Sequence, residues 1–472
     1  LTQQGRVEYA ISGGPDGSGG RIFADSIDNS AGVDCSDHEV NIKILLRGAE
    51  LARPERDALL AEMTDEVAGL VLRDNYDQAT ALGNARVQAP SMLPVHRRMI
   101  GDLEQDGRLD RTLEAVPGDD ELAQRFAAGK GLCSPEFAVL LSYVKIALEH
   151  EISDSPLPEE AWTRRVLLDY FPTPLRERYA DLMQQHPLHR EIVATKLVNE
   201  VVNRGGLSFV YRAVEETGAT AADVLRAYVI VREVYGLREL WQAVQRLDNR
   251  VPVAAQTAVY LAVRRLLDRA VRWLVTNRRA PLDVSGEIAR LGPGIAALLP
   301  SLATLFRGRE RESLRSNVDR LVGMGIPRDV ADWATRIEYG FGLLDIGSLA
   351  DTTRRGLTEV AEVYFVLSER FRVDDLLSRI SELPRTDRWQ TLARMALRYD
   401  LYAALAGLTA EVLSTDAVDG PEQRVAVWEQ ANATVAARAR RSIDELGEAP
   451  ADLSALSVLL RHIRTLVRTA GS

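Results

Sequence analysis

Along most of this chain the apolar positions recur every three or four residues, the spacing of helices that bury one face. The segment SPEFAVLLSYVKIAL is the clearest case. Ser134 is placed to cap it, Pro135 suits the first helical position, and Phe137, Leu140, Leu141, Val144 and Leu148 fall on one side. PLHREIVATKLVNEVVNRGG predicts a second helix, which opens near Pro187 and is stopped by Gly205 and Gly206. A third helix is expected from Pro252 to about Asn277. Its apolar stripe is Val259, Val263, Leu266, Leu267, Ala270 and Leu274, with Arg264, Arg265, Asp268 and Arg272 interleaved as a salt-bridged face.

The first part of the chain mixes patterns. RIFAD, Arg21 to Asp25, follows a glycine-rich run and reads as a short buried strand, whereas helical spacing takes over from about Ser36. The expected fold is therefore mainly α. Residues 1–129 read as the end of an α/β domain of the Rossmann type, and residues 130–472 as a large all-helical domain. VPGDDE near Pro117 and AAGKGLCSP near Gly131 are both plausible junctions between them.

Composition narrows the function classes. The 472 residues carry 58 Lys and Arg against 68 Asp and Glu, a formal charge of −10 that repels phosphate backbones and argues against nucleic acid. No run of residues reads as the ~20 apolar positions of a bilayer crossing, so no membrane partner is expected. Only Cys35 and Cys133 are present, which makes no disulfide framework and fits a reducing cytoplasm. The opening LTQQGRVEYA has no initiator Met and reads as part of a longer protein.

Several stretches imitate ligand motifs. GGPDGSGG, Gly13 to Gly20, lacks both the spacing of a dinucleotide fingerprint and the G-K-[ST] ending of a P-loop, and is expected to be a plain connection. In IDNSAGVDCSDHEVNIK, Asp28, Ser30, Asp34, Ser36 and Glu39 fall on calcium-loop positions, but Val33 stands where that loop requires glycine. Cys35 and His38 have zinc-like spacing without a second pair, and no metal is expected. His186 and His189 flank a helix start, where packing or capping explains them. SDHE matches a capping box, in which Ser36 and Glu39 would satisfy each other's amides at the start of a helix. The small residues before it, Ser30, Ala31 and Gly32, would let a ligand approach the backbone, as the wall of a cleft does.

DNSAGVDCSDHEVNIKILL resembles the segment that closes the active site in the very large bacterial NAD-specific glutamate dehydrogenases, and loosely the N-A-G-G-V-x-x-S-x-x-E motif of the smaller enzymes. SPEFAVLLSYVKIAL and HPLHREIVATKLVNEVVNRGGLSFVYRAVEETGA fit the same family. The resemblance implies that Asn29 lies near the nicotinamide end of NAD, and that Val33 and Ser36 line the substrate pocket, Ser36 reaching the distal carboxylate. It implies NAD as cofactor, oxidative deamination of L-glutamate to 2-oxoglutarate and ammonia, and a homo-oligomer. The family's dinucleotide fingerprint and its catalytic lysine and aspartate are not found in this chain. The catalytic residues therefore remain unassigned, and the chain is expected to supply one wall of the site plus a helical assembly or control domain. Ser30 and Ala31 depart from the Ala-Gly of the smaller enzymes, and Asp28, Asp34 and Asp37 have no implied role. A non-catalytic helical interaction module and another amino-acid dehydrogenase are the competing readings.

Overall fold

The computed structural model describes residues 1–13, 19–384, 387–415, 420–447 and 452–467. Every regular element among them is a helix. The chain divides into two compact units, Leu1–Val229 with Val271–Ser285, and Ile230–Ala270 with Gly286–Ser472.

The first unit opens with α1 (Gln3–Ser12), α2 (Asp25–Asp28), α3 (Ser30–Gly48), α4 (Arg53–Val87), α5 (Ala89–Gln105) and α6 (Asp119–Ala127). It continues with α7 (Ser134–Asp154), α8 (Thr163–Tyr170), α9 (Thr173–Gln184) and α10 (His189–Gly205). At its centre α10 packs on α4, α7 and α8, while α3 lies on α4. Val193, Ala194, Leu197, Val198, Val201 and Val202 of α10 are buried with Phe137, Leu140 and Leu141 of α7. The stripe predicted for α7 is thus inside, with Val144 buried and Leu148 half-buried.

Helix α7 starts one residue earlier than its pattern predicts, with Cys133 as the cap. Buried Glu136 accepts from the Cys133 amide at 2.7 Å and takes both guanidinium nitrogens of Arg125 at 2.7 and 2.8 Å. Reaching back to the cap amide, Glu136 satisfies a donor that no helical carbonyl can reach. Helix α10 ends where its glycines predict. Gly206 caps it at φ 104°, a conformation that side chains with a Cβ rarely adopt.

Three expectations are corrected here. Residues 21–24 form no regular element, and the Phe23 carbonyl accepts from Arg6 at 2.9 Å. A strand is defined by its ladder, and no second strand exists among the described residues, so the α/β character expected for residues 1–129 is absent from them. The Gly13–Gly20 run falls largely on residues 14–18, outside the described residues. The segment Val284–Leu305 is, by length and composition, long and apolar enough to cross a membrane, contrary to the expectation of no such run. Its helix contains Pro293 and gives way to a short 3-10 turn at Leu299–Ser301, and Leu291, Ile295, Leu298 and Leu302 are buried at helical spacing.

The second unit is built on the helix Arg388–Ser414, which packs against the helices Gly342–Thr353, Leu357–Arg370 and Leu453–Val467. Leu344, Val360, Leu367, Leu401, Leu408, Val412 and Leu466 are buried there. In the helix Val253–Asn277 the predicted apolar stripe is fully buried. Its arginines are not one solvated face. Arg265 pairs with Glu338 at 2.6 Å, whereas Arg272 is itself buried and pairs with Glu216 at 2.5 Å.

Candidate functional site

Buried Arg6 fixes the approach to α3 by gripping Asp25 at 2.8 Å, Asp28 and the Phe23 carbonyl. This assigns Asp28 a place as an anchor for α2. Asn29 then joins α2 to α3, and its side-chain amide turns back to the Asp25 backbone and carboxylate, both at 3.1 Å. Ser30 accepts from Asn75 of α4 at 2.9 Å, which ties the first turn of α3 down.

The capping box expected at Ser36 does not form. Helix α3 begins six residues upstream, and Ser36 lies in its second turn with its hydroxyl donating to the Gly32 carbonyl at 3.1 Å. Glu39 pairs with Lys43 rather than with the Ser36 amide. The reason lies in the buried face of α3, where His38, Asn41, Ile42 and Leu45 repeat at helical spacing and half-buried Asp34 continues the same face upstream. A helical path here also rules out a calcium loop over Asp28 to Glu39. Cys35 is exposed and His38 buried, so these two do not share a zinc site.

The other side of α3 faces outward. Asn29, Val33, Ser36 and Val40 fall on it as one exposed stripe, and Val33 is 74% exposed. The three residues singled out in the sequence are thus brought together, on a surface that nothing in the first unit covers among the described residues.

Beneath the inward face lies a cavity of about 110 Å³, lined by Asp34, Asp37, Asp74, Tyr170, Lys196 and neighbours. Tyr170 donates to Asp37 at 2.7 Å and accepts from Asn41 at 2.8 Å, while its ring stacks on His38 at 4.5 Å. His186 meets the Asn41 carbonyl at 3.1 Å, a packing role as expected, and His189 pairs with Glu159 at 2.9 Å. Burial, with Asp74 and Asp37 nearby, pushes the Asp34 carboxyl up to about 6. Burial pushes the Lys145 amine down to about 7 against the pull of Asp74, Asp77 and Asp34. Sequence reasoning missed this cluster. Its signal was Asp34 and His38 at i,i+4 on one helix, set against Asp74 and Asp77 one turn apart on another. In the second unit a cavity of about 260 Å³ is lined by Arg269, Glu310, Tyr364, Asp374, Arg398 and Tyr402, among others.

Fold and site together define a helical scaffold that presents one exposed stripe of mixed apolar and polar residues on α3. Residues 1–85 match the family model of the bacterial NAD-glutamate dehydrogenase catalytic domain, and residues 129–465 match that of the glutamate dehydrogenase C-terminal region. The chain belongs to the bacterial NAD-glutamate dehydrogenase family. It is 41% identical over its whole length to the NAD-specific glutamate dehydrogenase of Mycobacterium tuberculosis and 38% identical to that of Pseudomonas aeruginosa, in each case spanning 29% of the relative. The Halomonas elongata enzyme of the same name is 37% identical over 95% of the chain, which spans 28% of it.

Proposed function

We propose that this chain works as part of an NAD-dependent glutamate dehydrogenase, which deaminates L-glutamate oxidatively to 2-oxoglutarate and ammonia with hydride transfer to NAD. The exposed stripe of α3 is its contribution to the active site. Asn29 addresses the nicotinamide end of the cofactor, Val33 packs on the substrate's methylenes, and Ser36 addresses its distal carboxylate. The dinucleotide fold and the catalytic groups belong to sequence outside this chain. The stripe's role is to position substrate and exclude water, which is where much of an enzyme's advantage in hydride transfer lies.

The observation that carries this reading is the coincidence of Asn29, Val33 and Ser36 on one uncovered face, inside the region that matches the catalytic-domain model. The Ser36 hydroxyl donates its one proton to the Gly32 carbonyl at 3.1 Å, an exposed contact it would exchange for a substrate carboxylate by rotating. In the full-length enzyme Ser36→Ala is expected to lower kcat/KM for glutamate by about 10- to 100-fold, the worth of one hydrogen bond to a charged group, with little effect on NAD binding. Steady-state kinetics with each substrate varied in turn is the test, and unchanged efficiency with glutamate removes Ser36 from the pocket. The second unit has its own core and fits an assembly or control element of a cytoplasmic homo-oligomer.

A further inference from the structure

The inward face of α3 carries chemistry that the outward stripe does not use. Asp34 and His38 stand one turn apart on α3, and Asp74 approaches from α4. One donor atom of each lies within 4.8 Å of the other two. That spacing is too wide for hydrogen bonds among them, since His38 Nε2 is 4.0 Å from Asp34 Oδ1. Ligands of one ion bound at ~2.1 Å stand ~3.4 Å apart in a tetrahedron, so the three side chains would draw in by about an ångström to share one.

The second observation is the state of the imidazole. His38 is 1% exposed, and its Nδ1 has no hydrogen-bond partner; one oxygen of Asp34, Oδ2, is likewise buried without one. The stacked ring of Tyr170 fixes the plane of His38 but offers it no acceptor. The neighbouring acids are differently placed. Asp77 is held by Arg204 through two contacts of 2.8 Å, and Asp37 accepts from Tyr170 at 2.7 Å. Asp74 has Lys196 no nearer than 4.0 Å. Buried polar groups in native structures are satisfied by protein, water or an ion; His38 turns Nε2 toward Asp34 at 4.0 Å while Nδ1 stays unpartnered, and one imidazole beside two carboxylates has the donor set for an ion.

We propose that Asp34, His38 and Asp74 form a binding site for one first-row divalent cation, with water completing the coordination. One imidazole and two carboxylates suit Zn²⁺ or Mn²⁺, since the imidazole disfavours Mg²⁺ and Ca²⁺, and no thiolate is present to select softer ions. Lys196 and half-buried Lys145 oppose the ion electrostatically, which sets a moderate affinity. The bound cation bridges α3 to α4 and thereby fixes the helix whose opposite face carries the exposed stripe.

The test is calorimetric titration of Zn²⁺ into chelator-treated full-length protein, with the thermal midpoint followed in parallel. One Zn²⁺ per chain is expected, with a raised midpoint. Asp34→Asn and Asp74→Asn, which keep the side-chain volume, should each weaken binding by at least the ~10–100-fold that loss of even an outer-shell partner costs. Cys35→Ser should leave it unchanged, because that exposed thiol points away from the cluster. Absence of saturable binding, binding that survives both aspartate variants, or binding lost with Cys35 each overturns the proposal.

Discussion

A hydroxyl in the second turn of a helix has a different energetic meaning from one at a cap. At an N-cap, replacing serine by alanine costs about 1 kcal/mol because an orphan amide loses its acceptor. Ser36 instead donates back to Gly32, a contact that alanine can lose at no cost to the helix, since alanine is the better helix former. Ser36→Ala should therefore leave thermal stability unchanged or slightly raised while it lowers activity with glutamate, and a melting curve beside the kinetics separates the two effects. Glu310 in the second unit makes a different residue-level prediction. Burial first, then Asp374 and Glu369, pushes its carboxyl up to about 7, although Ser368 donates to it at 2.7 Å. Its folded value lies above its unfolded one, so the folded state binds the extra proton between them. Stability contributed by the protonated form is present below about 4.5 and is lost as pH rises through 7. Relative to Glu310→Gln, the native protein should lose roughly 3 kcal/mol between pH 5 and 8, given ~1.4 kcal/mol per pKa unit. A pH series of denaturant titrations on the two proteins checks this, and parallel curves would contradict it.

At the scale of elements, helices with a continuous apolar stripe were legible in the sequence because periodicity and burial are the same fact seen twice. The buried face of α7 and the glycine stop of α10 follow from their patterns. What misled was punctuation. The S-x-x-E signature at Ser36 is a local signal, and it lost to the inward face running from Asp34 through His38 to Leu45, which extends the helix through the box. RIFAD failed for the complementary reason, since an apolar run says that a segment is buried but not that a second strand stands beside it. The cluster of Asp34, His38 and Asp74 joins residues of different helices, and no local spacing encodes which turn of α4 meets which turn of α3. The capping box that did form is at the start of α7, where Glu136 serves the Cys133 amide and Arg125 together. Glu136→Ala should cost about 1–3 kcal/mol, because the Cys133 amide loses its acceptor while the largely buried Arg125 loses one carboxylate and keeps Glu121 at 2.6 Å. Chemical denaturation measures it, and a loss below 1 kcal/mol would show that Arg125 finds water instead.

At the scale of the whole chain, the junction near residue 129, where the match to the C-terminal family model begins, does not fall between the two compact units. It lies inside the first unit, which runs to Val229 and takes in Val271–Ser285. The helices before the junction are completed by those after it. α3 and α4 carry the exposed stripe and the inward cluster, yet α4 packs on α7 and α10, and Asn41 of α3 is held by Tyr170 and His186. Cutting the protein after Gly129 removes Phe137, Leu140, Leu141, Val193, Leu197 and Val201 from this core, all essentially fully buried. At about 1.5–3 kcal/mol for each buried apolar side chain, their loss amounts to roughly 9–18 kcal/mol. That matches or exceeds the whole net stability of about 5–15 kcal/mol typical of a domain. The truncated protein should therefore be insoluble or molten, with α3 no longer held in place, and not a folded enzyme lacking its regulation. Size-exclusion chromatography, near-UV dichroism and limited proteolysis of the protein ending at residue 129 decide it. A monodisperse product with protected α3 and α4 would mean that these helices draw their stability from elsewhere in the longer protein, and that the first unit's packing is dispensable for them.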